Sequence, residues 1–572
     1  MSKTVACVLD MPEWRRERWA HMRRSFAPGD GRKRSRAALL AAVLVVAACG
    51  RDTTGPSGGG DVELAPGEYA LFSGAQVGGA LDFPAAAGSG ALYLVVAQAA
   101  TGSSGVSSAF SLTGVAGAAA ARAAPPPAPS LLGGERPAAL RFHDGIRAWD
   151  ARLAAEARAR GARAAAPAGR PVRSPPVVGS SRTFKVCADL DCATLKNVIA
   201  TARVVGTHAA IFLDDSAPAG GFTDQDLQAL GRQFDSELYP IDRGSFGAES
   251  DVDGNGVVVI LLTPKVNALV GRSECITSFV TGYFLGADLA PEVRLLYNNG
   301  EVFYGLVPDP AGVASCPATA EQVRRLIPVT FIHEFQHMIS FNQHVLVRNG
   351  DTEVLWLNEA LSHLAEELGG RYYDSLHVTA TASQFYIGNL YNAYQYLIDP
   401  AASAMVTEEP PGELAERGAE WLFVRYLMDR FGSRVPQSLV NTSAHGAANV
   451  AAATGTSFAT LVGQWALATY ASDLPGFTAP AELRYQSWRF RTTFASLNVE
   501  APSDFAVPFP LVPASAAGGA VAVTGRLKSG SGAYLLVTQQ SGGAAFSLTL
   551  TPSGGGGFAS NVGAQIAVLR LR

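Results

Sequence analysis

Charge is scarce in this chain. Only 16% of its 572 residues are Asp, Glu, Lys or Arg, and 49 acidic against 45 basic side chains leave a formal net charge of −4. With no basic excess there is no electrostatic footprint for nucleic acid, and no such partner is expected. Cysteine is scarce too. None of the six forms a CxxC pair, which argues against a thiolate zinc site. Long apolar runs are also wanting: AALLAAVLVVAAC, from Ala37 to Cys49, falls short of the ~20 residues that span a bilayer as a helix. What is plentiful is apolar side chain, at 48%, which sets the chain apart from disordered ones, and its length implies two to four domains.

The short apolar run follows Arg32, Lys33, Arg34 and Arg36, as in a signal peptide. It ends in Val46-Ala47-Ala48-Cys49, which resembles a bacterial lipobox. Residues 1–48 are therefore expected to be a lipoprotein signal, with Met22 an alternative start, and Cys49 to be the lipidated N-terminus. An ordinary signal peptide cleaved nearby, or a short anchor, is the competing reading. RDTTGPSGGG, within 49–60, reads as a flexible tether. The expected product is an exported bacterial lipoprotein, monomeric and membrane-anchored on the periplasmic or cell-surface side. Cys7 lies in the removed segment, and the remaining four cysteines form an even set. In an exported chain that suggests disulfides, with close spacing favouring Cys187–Cys192 and Cys275–Cys316.

Segments 61–114 and 505–572 alternate apolar and polar residues between Gly/Ser turns, as strands do. AYLLVTQ at 533–539 echoes LYLVVAQ at 92–98, and AAFSLTLT at 544–551 echoes SAFSLTG at 108–114. Two related small β-sandwiches are expected, against a background of generic strand patterns that converge easily. Between them, 115–175 is rich in Ala, Pro and Arg and reads as a linker. It holds one helix near Pro137–Arg163, with Leu140, Ile146, Trp149 and Leu153 as its apolar stripe. From 176 to 490 the composition is that of a mixed α/β enzyme domain. TARVVGTHAAIFLDD and VVVILLT read as buried strands, and FTDQDLQALGRQFDSELYP as a helix capped by Thr223 or Asp224.

Chemistry concentrates in FIHEFQHMISFNQH, Phe331 to His344, where His333, Glu334 and His337 form HExxH. Histidines at i and i+4 share one helix face, so both rings can reach one metal, with Glu334 close by. Pro328 suits a first turn. His344 lies eleven residues beyond His333, about 16 Å along a helix, too far for one coordination sphere. A better third ligand lies in TEVLWLNEALSHLAEELGG. This segment reads as a helix opening near Asp351 and stopping at Gly369-Gly370. Its polar stripe is Glu359, Ser362, His363 and Glu366, and Glu359 lies among apolar neighbours where an unpaired carboxylate is costly. A hairpin loop around Val345–Gly350 would return Glu359 to the histidines, giving two histidines, one glutamate and an open fourth position.

HEFQH followed by WLNEALSH resembles the gluzincin clan of zinc metallopeptidases, and within it the hyicolysin family. The likeness covers roughly 180–475 and includes HAAIFLDD, SDVDGNG, LLTPKVNAL, NNGEVFYG and GAEWLFVRYLMDRFG. It implies an α/β (α+β) zincin-type domain within a multidomain chain, flanked by the all-β domains, and Zn2+ as cofactor. It implies His333, His337 and Glu359 as ligands and Glu334 as general base acting on a protein or peptide substrate. The position usually acidic four residues after the ligand is His363, so orientation of a zinc histidine falls to Glu366 or is altered. His377, Tyr394 and Tyr426 are candidate oxyanion donors. By the same resemblance NNGEVFYG is an edge strand with which an extended substrate could pair.

DVDGNG presents Asp251, Asp253 and Asn255 at alternate positions, as Ca2+ loops do. The twelfth position, which an EF-hand fills with glutamate, is Leu262, and a hairpin turn explains the pattern equally well. Two functions compete for the whole chain. One is a lipid-anchored zinc endopeptidase, with exopeptidase action as a variant; the other is an inactive surface-binding lipoprotein whose site is closed by His363.

Overall fold

The computed structural model describes residues 51–52, 60–86, 88–115, 138–159, 174–407 and 413–572. The signal segment, Cys49 and most of the tether lie outside the described residues. These residues form two compact units. One holds 138–159, 174–397, 405–407 and 413–458; the other holds 51–52, 60–86, 88–115, 398–404 and 459–572. The sequence boundaries at 176 and 490 therefore shift: the helix of the supposed linker joins the first unit, and the chain from Ala459 joins the second. Both disulfides, Cys187–Cys192 and Cys275–Cys316, are formed in the first unit.

A six-stranded sheet runs through the first unit in the order Gly282–Phe284, Val302–Gly305, Val258–Leu262, Ala209–Asp214, Leu195–Val205, Ser181–Cys187. Val258–Leu262 runs parallel to both its neighbours and is buried along its whole length, which is why VVILL is a continuous apolar run. The outer pairings are antiparallel. Val302–Gly305 was expected at the edge, but the short strand Gly282–Phe284 pairs outside it and takes that place. Thr223 caps the helix Asp224–Gln233 in a capping box with Asp226.

The HExxH helix spans Ala320–Phe341 and starts earlier than Pro328 suggested. Thr319 and Gln322 form its capping box, leaving Pro328 in the interior. The reciprocal cap satisfies two orphan backbone donors, a stronger start signal than a proline. Its next segment, Asn342–Val347, continues as a π-helix. The WLNE helix spans Leu355–Ser375 and does not stop at Gly369-Gly370. Those glycines mark a close approach of the helix Thr379–Ile398 rather than a cap. A Cβ at Gly369 would lie 2.8 Å from the Phe385 ring, and one at Gly370 would lie 2.3 Å from the Tyr386 ring.

In the second unit, the N- and C-terminal β-segments build one sandwich rather than two. Its six-stranded sheet has the order Arg51–Asp52, Tyr69–Ser73, Ala564–Arg570, Ala91–Ala99, Gly532–Gln539, Ala514–Ala517. The five-stranded sheet has the order Ala522–Lys528, Ser107–Val115, Phe546–Pro552, Leu81–Phe83, Gly60–Asp61. Each pair of echoing segments lies side by side and antiparallel: Leu94 faces Leu536, and Leu112 faces Leu550. Phe83, Tyr93, Phe110, Leu535, Phe546 and Ile566 fill one core between the sheets. Strands of 61–114 alone could not have covered their apolar face, so the two segments share it. The helix Phe458–Ala471 packs on this unit, where Gln464 Nε2 donates to the Tyr69 hydroxyl.

Gly370→Ala is expected to cost about 1–3 kcal/mol, the usual penalty of overpacking. A thermal unfolding midpoint equal to that of the parent would contradict the close helix approach.

Candidate metal centre

The HExxH and WLNE helices pack along each other, and their facing polar atoms converge. His333 Nε2 lies 3.1 Å from His337 Nε2. Glu359 Oε2 lies 3.8 Å from His333 Nε2, and Glu359 Oε1 lies 3.6 Å from His337 Nε2. Glu359 is 3% exposed, and its Oε1 is buried without a hydrogen-bond partner. An orphaned carboxylate oxygen facing two imidazole nitrogens is a donor set that fits a zinc ion.

Each member is held from behind. His333 Nδ1 is 2.8 Å from Glu366 Oε1, and His337 Nδ1 is 2.8 Å from Asn358 Oδ1. Burial opposes a charge on His333, but Glu366 more than compensates and raises its pKa to about 9. Burial likewise opposes charge on Glu366, while His363 and His333 bring it down to about 2. Glu359 would be pushed up by burial, yet the Arg417 guanidinium, 3.9 Å away, and the histidines hold it well below the ordinary carboxylate range. Glu334 is 1% exposed and its pKa is raised by burial; its Oε2 accepts from the Phe284 N–H at 2.8 Å.

His363 does not close the triad. Its Nδ1 lies 3.2 Å from Glu366 Oε2 and its ring centroid 5.2 Å from that of His333, in a group that does not include His337 or Glu359. His333, His363 and Glu366 form a second converging group. His333 already turns its Nε2 to the first, so Glu366 serves as a bridge between two imidazoles. His344 is buried, 3.9 Å from Glu353, and stands apart from the triad. Of the oxyanion candidates, His377 is exposed beyond the end of the WLNE helix. Tyr394 is buried in the helix Thr379–Ile398. The Tyr426 hydroxyl accepts from Arg430.

The sequence reading missed the contribution of the helix Ala138–Ala159, which belongs to this site. Its His143 ring stands edge-on to His333 with centroids 6.4 Å apart, and its Nδ1 is buried without a hydrogen-bond partner. Burial keeps this imidazole neutral, lowering its pKa to about 3. Asp144 pairs with Arg417 at 2.6 Å. Arg147 donates to the Phe284 carbonyl at 2.6 Å, and Asp150 accepts from the Gly286 N–H at 2.9 Å. Arg417, on the helix Leu414–Phe431, was missed as well. A visible signal existed for both: paired charges lie within otherwise apolar stretches, HDGIRAWD and ERGAEW.

No family model matches the chain. The neutral metalloprotease ShpI of Staphylococcus hyicus is 31% identical over 147 residues, which are 26% of this chain and 31% of that protein. The match therefore spans about a third of that relative's length. Two crystal structures of a two-domain M1 zinc metallopeptidase variant, bound to L-tryptophan and to L-arginine, are 14% identical to the chain. They cover 50% of it and 48% of their own length, with TM-scores of 0.23 and 0.22.

Glu366→Gln is expected to weaken zinc binding about 10–100-fold by releasing the His333 ring. Glu359→Ala should lose more. Competition against a fluorescent chelator measures both, and equal affinities in parent and Glu359→Ala would remove Glu359 from the ligand set.

Proposed function

We propose that the chain is a zinc-dependent endopeptidase of the gluzincin type and hyicolysin-like kind, with His333, His337 and Glu359 as ligands. The observation that carries this reading is the convergence of those three side chains beside a buried, backbone-anchored Glu334. Similarity to a named metalloprotease supports it. Bound there, zinc would supply a Lewis acid and a water whose pKa is lowered towards ~7.

Glu334 acts as the general base. The Phe284 N–H orients one carboxylate oxygen, and burial raises its pKa, which makes the carboxylate a stronger base. Glu366 and Asn358 fix the two histidine rings. His143, neutral and facing the triad, is better placed to donate to a developing oxyanion than His377, which lies exposed past the helix end. The edge strand Gly282–Phe284 is where an extended substrate would pair once Arg147 releases the Phe284 carbonyl and Asp150 the neighbouring Gly286 N–H. The inactive-lipoprotein reading requires His363 as a fourth ligand, and the position of His363 at Glu366 favours the enzyme.

The full-length protein, extracted in detergent, is expected to hold one zinc and to cleave an internally quenched peptide. Glu334→Gln should keep the zinc and lose about 10²–10⁴ in kcat. Zinc retained with full activity would exclude Glu334 as base, and a parent that binds no zinc under replete conditions would refute the peptidase reading. Arg147→Ala is expected to lower KM by freeing the Phe284 carbonyl; a raised KM would make Arg147 part of the substrate site. The lipid anchor at Cys49 is also proposed. Cys49→Ala should move the protein from the membrane to the soluble fraction, and unchanged membrane retention would rule the anchor out.

A further inference from the structure

A second cluster of carboxylates lies in the first unit, at the head of two adjacent parallel strands. The segment 251–257 leads into Val258–Leu262, and Glu301 directly precedes Val302–Gly305. The Val259 N–H donates to the Glu301 carbonyl at 2.7 Å, so the two strand starts are tied together there. Asp251, Asp253 and Glu301 each bring a carboxylate oxygen within 4.8 Å of the others. A Cβ at position 300 would come 2.9 Å from Asp253 Oδ2, so Gly300 leaves room for that carboxylate to fold over the strand start.

Acidic side chains gather on many protein surfaces without a ligand. Glu301 is different because it is 2% exposed. Its Oε1 accepts from the Ser250 hydroxyl at 2.6 Å and from the Val252 N–H at 2.8 Å. Its Oε2 is buried with no hydrogen-bond partner, within a group that already holds two aspartates. A carboxylate oxygen shut away from water and facing two further carboxylates calls for a positive charge.

Asn255, the third member of the sequence pattern, is turned to other work. Its Oδ1 accepts from the Val257 N–H at 2.8 Å and its Nδ2 donates to Asp253 Oδ2 at 2.7 Å. Leu262, at the twelfth position, is buried in the sheet. The glutamate that an EF-hand would place there arrives instead from the neighbouring strand, thirty-nine residues further on.

We infer that Asp251, Asp253 and Glu301 hold a calcium ion that fastens the 251–257 segment to the two strand starts. The donors are all hard oxygens, the kind that calcium takes in its flexible coordination. The inference is independent of the peptidase reading, since it concerns a different site and a different ion.

The test uses the full-length protein, stripped with EGTA and resupplied with one equivalent of zinc, then titrated with calcium alone by calorimetry and by thermal unfolding. One equivalent should bind with a Kd of about 10⁻⁵–10⁻³ M and raise the unfolding midpoint. Glu301→Gln should weaken calcium binding at least about tenfold while unfolding in EGTA no earlier than the parent, because it removes a buried charge. Asp251→Asn, at an exposed position, should weaken binding similarly and serves if Glu301→Gln does not fold. No heat and no midpoint shift up to ~10 mM calcium would overturn the inference. So would equal affinity in the parent and either variant.

Discussion

The first unit is organised around one electrostatic constraint: a carboxylate, Glu359, buried between helices next to two imidazoles. Glu359 alone in that setting would be forced to take up a proton. Arg417 prevents this, and Arg417 is itself 2% exposed and therefore needs its own compensation. It finds it in Asp144 at 2.6 Å and Glu420 at 3.1 Å. A chain of alternating charge thus passes from His333 through Glu359 and Arg417 to Asp144. Four helices contribute to it: Ala320–Phe341, Leu355–Ser375, Leu414–Phe431 and Ala138–Ala159. None of these helices can shift without leaving a buried charge unpaired, a loss of roughly 3–5 kcal/mol by comparison with other broken buried pairs.

The same constraint explains why the helix Ala138–Ala159 belongs to the site. Its Asp144 completes the charge chain, Arg147 and Asp150 bond the backbone at Phe284 and Gly286, at and just past the edge strand, and the His143 ring stands edge-on to His333. A segment whose flanks look like linker thus supplies a wall of the candidate site. Its apolar stripe is partly displaced by these polar contacts: Phe142, Asp144, Ile146, Arg147 and Asp150 are buried, whereas Trp149 is only half-buried.

Much of the candidate metal centre was legible residue by residue. The i, i+4 spacing of His333 and His337 puts both rings on one helix face whatever surrounds the helix. Glu359 stood out because a lone carboxylate among Trp356, Leu357, Ala360 and Leu361 has to have a partner. The rejection of His344 followed from helix rise alone. By contrast, Gly369-Gly370 read as a helix stop because a glycine pair has two uses, and only the Phe385 and Tyr386 rings reveal which one applies. Pro328 misled for the same reason: a local preference yielded to the Thr319–Gln322 cap nearby.

The echoing β-segments show where sequence reading runs out. That 92–98 and 533–539 are alike was visible, but likeness fits two sandwiches or one. By itself the sequence determined local matters: which face of a helix carries the histidines, which runs are strands, which cysteines lie close enough to pair. Those depend on periodicity and short-range sterics, which act over a few residues. Only the tertiary structure decided that the two β-segments share one core, that Glu301 reaches Asp251 and Asp253, and that Arg417 and Asp144 support Glu359. Those contacts join residues far apart in the chain. They are selected by the need to cover apolar faces and to pair buried charge, which no local pattern encodes.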